Sequence, residues 1–365
     1  MFSDKYLEKI FEKVKKGVRI TFDEGVRLFQ SEDLIGLGYI ADFVNRKKNG
    51  NVVYFNINRH INPTNLCINK CQFCAFYRKS LDEPGAYEMT VEQVVEALKP
   101  EVEKGCKEVH IVGGLHPKWK FDDYLAIVRG IKENFPQLHI KAFTCVEFDH
   151  FSRISGLSIE EVIDKLKEAG LGSVPGGGAE VFSQRVRRLL CKNKISGERW
   201  LEIAEKIHRK GLKSNATMLY GHIETIEERV DHLDRLRKLQ DKTGGFNAFI
   251  PLSYHPENTE LEKKLNIKGS TGMDDLKMIA VSRIYLDNFR HIKAYWVMLG
   301  KKLAQTALWF GANDLDGTVV EETITYMAGY KTDRKATIPE IVNLIKTAKR
   351  KPVERDTLYN TIKEY

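Results

Sequence analysis

The sequence is poor in features that would assign it to several common classes of protein. It contains only six cysteines in 365 residues, too few and too irregularly spaced for the disulfide framework of a small secreted domain. It has no run of about 18 apolar residues, and no basic segment followed by an apolar one at the N-terminus. We therefore expect a cytoplasmic protein that neither crosses a membrane nor carries an export signal.

The chain also lacks a large excess of either positive or negative charge. The 58 lysines and arginines face 50 aspartates and glutamates, and the resulting net charge of +8 is spread along the chain. Nucleic-acid-binding domains usually concentrate cationic residues in one patch or arm. The composition therefore predicts no nucleic-acid partner, while the 42% of hydrophobic residues can form the core of one large domain or of two domains.

Three of the six cysteines lie within eight residues. They are Cys67, Cys71 and Cys74, with the spacing C-x3-C-x2-C. A closed zinc site or a ferredoxin-type cluster normally takes four protein ligands, so three thiolates leave one coordination position open for chemistry. On the cysteines alone, a zinc-stapled binding module, with His60 or His110 as a fourth ligand, and an iron-sulfur electron carrier remain alternatives.

The hydrophobic pattern divides the chain into three regions. Residues 1–50 predict an N-terminal helical cap, in which Thr21 to Glu24 form a capping box. Six strands alternate with helices in the next region, 51–300, which predicts an α/β fold built as a (βα) TIM-type barrel, partial or complete. Residues 301–365 are expected to be a C-terminal extension packing on the barrel. The strands are predicted at 52–60, 108–112, 139–147, 172–174, 212–220 and 246–252.

The carboxyl ends of these strands carry the residues expected at the site, because barrel enzymes place their chemistry there. Two glycines, Gly113 and Gly114, follow the second strand, and Glu147 ends the third. Three glycines at 176–178 follow the fourth strand, and Glu180 is expected at the start of the next helix. Consecutive glycines indicate a close backbone approach to a ligand or to another segment.

The cysteine spacing, with Phe73 directly before the third cysteine, resembles the signature of the radical S-adenosylmethionine (SAM) superfamily. The resemblance implies a 4Fe-4S cluster on the three cysteines, with SAM bound to the iron that lacks a protein ligand. It also implies a set of SAM contacts at the strand ends: Phe73, Gly113, Gly114, Glu147, Glu180, Gly221, Glu224 and Pro251.

Longer blocks resemble one group within that superfamily, the aminofutalosine (aminodeoxyfutalosine) synthases, with the dehypoxanthine futalosine cyclases as near relatives and the deazaflavin-forming synthases as more distant ones. The blocks include His60-Ile-Asn-Pro-Thr-Asn65, Gly113-Gly-Leu-His-Pro117, Pro175-Gly-Gly-Gly-Ala-Glu180 and His291-Ile-Lys-Ala294.

The resemblance implies a specific transferase reaction in the futalosine route to menaquinone. A flavodoxin or ferredoxin type reductant supplies an electron, and the 5′-deoxyadenosyl radical from SAM, the cosubstrate, adds to 3-(1-carboxyvinyloxy)benzoate. Aryl migration and loss of bicarbonate then give 6-amino-6-deoxyfutalosine. The alternative is the cyclase reaction, in which hydrogen abstraction precedes cyclisation.

A substrate with two carboxylates and an aromatic ring calls for cationic, hydrogen-bonding and aromatic side chains at the strand ends. The candidates for catalysis are His60, His222, His291, Lys293 and Tyr295, with His116 and Tyr220 as further neighbours. A histidine in such a place is more often structural than functional. Cys145 is expected either to point away from SAM or to be shielded from it, because a thiol would quench a carbon radical.

Overall fold

The computed structural model describes residues 2–319, 323–329 and 335–365. The helices within these ranges are α1 Tyr6–Lys15, α2 Phe22–Gln30, α3 Leu34–Asn49, α4 Val91–Glu103, α5 Phe121–Asn134, α6 Cys145–Ser155, α7 Ile159–Ala169, α8 Gln184–Leu190, α9 Gly197–Arg209, α10 Ile226–Thr243, α11 Glu260–Leu265, α12 Gly272–Tyr285, α13 Trp296–Leu299, α14 Lys301–Ala307, α15 Ile324–Met327 and α16 Ile338–Thr347. The strands are β1 Val52–Asn56, β2 Asn58–Ile61, β3 Glu108–Ile111, β4 His139–Ala142, β5 Leu171–Val174, β6 Lys213–Tyr220, β7 Phe246–Ser253, β8 His291–Ile292, β9 Asp314–Gly317, β10 Lys351–Arg355 and β11 Thr361–Glu364.

The main sheet has seven parallel strands in the order β2-β3-β4-β5-β6-β7-β8. At least one helix separates each strand from the next along the chain, as parallel pairing requires. Sequence order and spatial order agree throughout, which is the arrangement of a curled (βα) sheet. This sheet confirms the α/β fold and the partial TIM-type barrel predicted from the sequence.

A second, four-stranded sheet has the order β11-β10-β1-β9. Only Ile57 separates β1 from β2, so the chain passes from this sheet into the first strand of the barrel across a single residue. On the other side, the Ala294 N–H donates to the Asp314 carbonyl at 2.8 Å, and the Asn313 N–H donates to the Ile292 carbonyl at 3.0 Å. Strand β9 therefore connects the β8 edge of the barrel back to β1.

The N-terminal helices pack against the outside of the barrel. Helix α3 lies against α12, and α2 lies against α10. The predicted capping box is present at the start of α2, where the Thr21 N–H donates to Glu24 Oε2 at 2.8 Å and the Glu24 N–H donates to Thr21 Oγ1 at 3.3 Å. None of the helices in the described ranges has the length and apolar character needed to cross a bilayer.

The C-terminal end predicted for the third strand is wrong. It stops at Ala142 instead of continuing to residue 147, because Phe143 takes a left-handed φ of 62° and Thr144 caps helix α6. The Thr144 N–H donates to Glu147 Oε2 at 2.6 Å, so Glu147 closes a capping box. The T-x-x-E pattern of that box outweighs the strand-like alternation of the surrounding apolar residues.

One other boundary differs from the predictions. Helix α8 begins at Gln184, so Glu180 does not start a helix but lies before it, with φ 48°. Of the candidates near residue 291, His291 lies in β8, Lys293 follows that strand and Tyr295 directly precedes α13.

Candidate active site

A cavity of about 330 Å³ opens at the carboxyl ends of the barrel strands. Its wall is formed by the loop after β2, the end of β3, the start of α6, the glycine-rich loop after β5, and parts of β6 and β7. We refer to residues 62–89 as the cysteine loop and to residues 175–183 as the glycine loop. The cavity lies where the parallel topology predicts a site.

Backbone hydrogen bonds hold the cysteine loop together and fix it against two neighbouring segments. The Cys67 N–H donates to the Arg78 carbonyl at 3.0 Å, within the loop, and the Ile68 N–H donates to the Leu115 carbonyl at 3.0 Å. The Gln72 N–H donates to the Leu190 carbonyl at 2.8 Å. As a result, Cys67, Cys71 and Cys74 all line the same cavity.

Two of the three cysteine thiols, Cys71 and Cys74, have a pKa above the ordinary value. Burial raises the pKa of Cys74, and it raises that of Cys71 well above its usual range despite the nearby Lys194 ammonium. Both are therefore thiols in the unliganded chain at neutral pH. Iron binding would release their protons, as for other thiolate sites.

The three cysteines do not converge on one point. Among residues 2–319, 323–329 and 335–365, no three His, Cys, Asp or Glu side chains are close enough to hold a single metal ion. In a cubane cluster each thiolate binds a different iron, so its ligands stand further apart than those of a zinc ion. Three thiols that line one cavity are the donor set that a 4Fe-4S cluster would take if one of its irons had no protein ligand.

The paired glycines after β3 allow the strand end to lie against the cysteine loop. A Cβ on Gly114 would be only 2.1 Å from the Leu66 carbonyl oxygen, and a Cβ on Gly113 would be 3.2 Å from the Thr64 carbonyl oxygen. The Gly114 N–H donates to the Thr64 carbonyl at 2.9 Å. Both glycines line the cavity, and the second one is required by this backbone contact.

The glycine loop approaches protein rather than open space at its first glycine. Gly176, with φ 87°, would place a Cβ 2.0 Å from the Asn215 carbonyl oxygen of β6. Gly177 and Gly178 line the cavity. A Cβ on Gly178, which has φ 81°, would lie 2.5 Å from Val146 Cγ2, so the loop packs tightly against both β6 and α6 while it lines the cavity.

Glu180, Lys194 and Phe73 form one contact group in the cavity wall. Lys194 Nζ lies 2.5 Å from Glu180 Oε1 and 5.2 Å from the centre of the Phe73 ring. Burial alone would lower the pKa of Lys194, but the Glu180 carboxylate, which accepts a hydrogen bond from it, helps to raise it above its usual value. A lysinium ion therefore stands beside the cysteine loop.

Glu147 also lines the cavity, although it lies in a helix. It is almost fully buried, and burial raises its pKa to about 7 against the hydrogen bonds that it accepts from Thr144 and Gly113. It has no ion-pair partner among the salt bridges of the described residues. Its carboxyl group is therefore poised between the neutral and the charged form near neutral pH.

His60 and His110 lie side by side in the barrel lining, at the same register of β2 and β3. Their ring centres are 4.5 Å apart, and both side chains line the cavity together with Asp316. Burial lowers the pKa of His60 to about 4 and that of His110 well below its usual value. Both imidazoles are therefore neutral hydrogen-bonding groups at physiological pH.

Lys293 does not line the cavity itself but pairs with Asp316, which does. Its Nζ lies 2.7 Å from Asp316 Oδ1, and Lys293 itself is not among the lining residues. Burial would raise the pKa of Asp316, but Lys293 and Lys141 hold it well below its usual value. The predicted cation is thus a partner of Asp316 inside the protein.

Comparison with known proteins places this geometry in a family. The sequence pattern of the radical SAM superfamily matches residues 61–236, and that of the CofH/MqnC C-terminal region matches residues 243–364. An aminodeoxyfutalosine synthase of Thermus thermophilus is 48% identical over 361 residues, with 99% of this chain and 97% of that protein covered. The chain belongs to the radical SAM superfamily. It is therefore a radical SAM enzyme, of a superfamily that uses a 4Fe-4S cluster and SAM.

Two other relatives of this radical SAM enzyme carry different names. A 5-amino-6-(D-ribitylamino)uracil--L-tyrosine 4-hydroxyphenyl transferase of Archaeoglobus fulgidus is 42% identical, with 88% of this chain and 92% of that protein covered. A cyclic dehypoxanthine futalosine synthase of Streptomyces coelicolor is 38% identical, with 97% and 88% covered. Among solved structures, methylornithine synthase matches with a TM-score of 0.71 at 20% identity, over 93% of this chain and 95% of that one. This last match supports the fold.

The polar groups of residues 221–224, which follow β6, bond mainly within their own turn. Glu224 accepts hydrogen bonds from the Gly221 and His222 N–H groups at 2.7 and 2.9 Å, and Arg229 Nη2 lies 2.6 Å away. Burial would raise the pKa of Glu224, but His222 and Arg229 lower it to about 2. None of Gly221, His222 and Glu224 lines the cavity, whereas Leu219 of β6 does.

Pro251 and Tyr295 have different positions relative to the cavity. Pro251 lies inside β7, opposite Met218, and the residues on either side of it, Ile250 and Leu252, line the cavity instead. Tyr295 lines the cavity directly.

The remaining candidates serve the fold around the site. His291 stacks on Tyr359 at 3.7 Å between ring centres, and burial lowers its pKa to about 2. His116 Nε2 lies 2.7 Å from Glu88, and Tyr220 donates to Asp275 at 2.6 Å. None of these three lines the cavity, and neither does Cys145, which is buried.

Sequence reasoning missed Lys194 as a cavity residue and considered His110 only as a zinc ligand. Lys194 follows α8 in a segment without a recognisable motif, so only the fold brings it to the cysteine loop. His110 could have been found, because His60 and His110 occupy equivalent places on two strands predicted to be neighbours.

Proposed function

We propose that this radical SAM enzyme is an aminodeoxyfutalosine synthase. It would join the adenosyl group of SAM to 3-(1-carboxyvinyloxy)benzoate, with aryl migration and loss of bicarbonate, to give 6-amino-6-deoxyfutalosine for menaquinone biosynthesis. The observation that carries the proposal is the 48% identity to the Thermus thermophilus synthase over 99% of this chain. That identity spans every segment that forms the cavity.

In this proposal Cys67, Cys71 and Cys74 hold the 4Fe-4S cluster. The cluster, once reduced, would supply the electron that cleaves SAM and so generates the adenosyl radical. Phe73, Gly113, Gly114, Gly177, Glu147 and Glu180 are the cavity residues assigned to SAM, because they line the same cavity as the three cysteines. Gly221, Glu224 and Pro251 are assigned an indirect part, shaping β6 and β7 around Leu219 and Ile250.

The cavity walls can protect a reactive carbon centre. Leu115, Val146, Leu219, Ile250 and Leu252 contribute apolar surface to it. Such a lining excludes water and keeps the reacting carbons close together. Cys145, the thiol nearest in sequence to the lining residue Val146, is excluded from the cavity.

The polar part of the lining is suited to the carboxylates of the substrate. His60 and His110 are neutral imidazoles and can donate hydrogen bonds without adding charge, and Tyr295 contributes a phenol. His222, His291 and Lys293 are assigned positioning roles, since each is held by protein groups away from the cavity. Lys293 fixes Asp316, which borders the same region.

Substrate-dependent consumption of SAM distinguishes the proposed activity from those named for the relatives. The reconstituted protein would be incubated anaerobically with SAM and dithionite, together with one candidate substrate at a time. We expect 3-(1-carboxyvinyloxy)benzoate to accelerate SAM consumption at least about tenfold, a threshold that corresponds to about 1.4 kcal/mol in the barrier. Acceleration by dehypoxanthine futalosine, or by tyrosine with 5-amino-6-(D-ribitylamino)uracil, would instead assign the activity of another relative.

A matched pair of cysteine variants controls this experiment. Cys71→Ala removes a proposed ligand, whereas Cys106→Ala removes a buried thiol that donates to the Glu108 carbonyl at 3.2 Å, away from the cavity. We expect Cys71→Ala to lose both the bound iron and SAM consumption, and Cys106→Ala to keep both.

A further inference from the structure

The cysteine loop reaches the protein surface at a junction of three segments. The Gln72 N–H donates to the Leu190 carbonyl at 2.8 Å, and the Leu261 N–H donates to the Gln72 carbonyl at 2.8 Å. Asn193 Nδ2 donates to the Asn69 carbonyl at 3.0 Å. These bonds join residues 68–72, 188–193 and 260–265 into one contiguous area, which we call the Gln72 surface.

The Gln72 surface is cationic. Its exposed side chains with positive charge are Lys70, Arg188, Lys192, Lys263 and Lys264. Its two carboxylates are Glu260 and Glu262, of which Glu260 already pairs with Lys263 at 2.9 Å. With five cations and two carboxylates, this surface has a local excess of positive charge beside the cysteine loop.

Large apolar side chains stand among these cations. Ile68 is 38% exposed, and Leu189 and Leu265 are each 51% exposed. Protein interfaces commonly combine an apolar centre with a charged rim, and the charges steer a partner of opposite sign. The composition of this surface is that of an interface for an acidic protein.

The position of the surface indicates what such a partner does. Cys71 lies between Lys70 and Gln72, so its thiol is separated from a bound partner by the thickness of one loop. On the other side Cys71 lines the cavity. A partner bound at the Gln72 surface would therefore stand across one loop from a cluster held by Cys71.

We propose that the Gln72 surface docks an acidic electron-carrier protein, which loses one electron while the cluster gains it. The inference rests on the cluster assigned under Proposed function, but it is independent of which substrate the enzyme uses. The positive charges attract the carrier, and the three apolar side chains provide close contact once it has arrived.

Binding of oxidised flavodoxin to the reconstituted enzyme tests the proposal without turnover. The dissociation constant would be measured by calorimetry at low salt, where surface charges are least screened. The test variant is Arg188→Glu with Lys192→Glu, which reverses two exposed charges on this surface. The control is Lys9→Glu with Lys16→Glu, which makes the same change in net charge at exposed positions of the N-terminal region.

We expect the test variant to bind flavodoxin at least about tenfold more weakly than the native enzyme, and the control to bind within about twofold, as for charges inside and outside an interface. Equal weakening by both variants would overturn the proposal, because it would reflect net charge alone. Failure of the native enzyme to bind flavodoxin or an acidic ferredoxin would also overturn it. The proposal would likewise be overturned if the native enzyme were a dimer and the test variant a monomer, because the Gln72 surface would then be an interface between two copies of the enzyme.

Two further measurements separate this proposal from the others. Both variants should keep the iron content of the native enzyme and its rate with dithionite, a small reductant that needs no docking surface. If the native enzyme has no activity with 3-(1-carboxyvinyloxy)benzoate, the substrate assignment is contradicted and the binding result is unaffected.

Discussion

Glu147 binds its proton unusually tightly for a carboxyl group. Burial raises its pKa to about 7 in the folded protein, from an ordinary value of 4.5. Between these two pH values the folded state keeps a proton that the unfolded chain has lost, so rising pH destabilises the fold. We expect Glu147→Gln to remove this effect while keeping an oxygen that caps α6.

The variant should therefore gain stability relative to the native protein as the pH rises. The difference in the free energy of unfolding should be small at pH 5 and should reach at most about 3 kcal/mol at pH 8, since one pKa unit corresponds to about 1.4 kcal/mol. Urea unfolding of both proteins at the two pH values measures it. A difference that does not change with pH would contradict the burial of an ionisable Glu147.

Gly113 and Gly114 offer a comparison between neighbouring positions with different space. An alanine at 114 would place its Cβ 2.1 Å from the Leu66 carbonyl oxygen, whereas one at 113 would have 3.2 Å to the nearest atom. We expect Gly114→Ala to cost about 1–3 kcal/mol or more and to lower iron loading, because it displaces the cysteine loop. Gly113→Ala should cost less. Equal iron content and equal melting temperatures in the two variants would contradict the tight contact.

At the scale of elements, buried ion pairs connect β9 to its neighbours. Arg355 Nε of β10 lies 2.6 Å from Asp314 Oδ2 of β9, and both side chains are fully buried. We expect Arg355→Met to destabilise the fold by about 3–5 kcal/mol, because it leaves Asp314 as a buried charge without its partner. The exposed pair Lys351–Glu364 is the control, and Lys351→Met should cost less than about 1 kcal/mol.

A second substitution separates the loss of charge pairing from the loss of packing. Adding Asp314→Asn to Arg355→Met removes the stranded carboxylate and should restore part of the lost stability, which urea unfolding measures. If the double variant is as unstable as the sum of the two single variants, the two side chains do not interact as described.

The elements that could be predicted are those in which one strong local pattern dominates. The alternation of β-rich and helical segments was sufficient to predict six of the seven strands of the main sheet. Helix α6 was missed because Thr144 and Glu147 form a capping box inside a segment that also alternates like a strand. Strands β8 and β9 are two and four residues long, and their hydrogen bonds come from partners more than 20 residues away, so no local pattern identifies them.

At the scale of the whole molecule, the sequence predicted the cysteines and the barrel but only part of the cavity. His60, Glu147, Glu180 and Tyr295 line it, while His222 and His291 are held elsewhere by protein groups. The reason is physical: a strand-end histidine can face the cavity, a turn or a neighbouring strand, and only the assembled fold decides. Lys194 shows the converse, a residue without a motif that the fold brings to the site.

The fate of the adenosyl group tests the central claim most directly. The reconstituted enzyme would be supplied anaerobically with dithionite, 3-(1-carboxyvinyloxy)benzoate and SAM labelled with carbon-13 in its adenosyl group, and the products would be analysed by mass spectrometry. The account predicts that the label appears covalently joined to the benzoate skeleton, with one carbon of the substrate lost. Label found only in free 5′-deoxyadenosine, formed at the same rate with and without the benzoate, would contradict it.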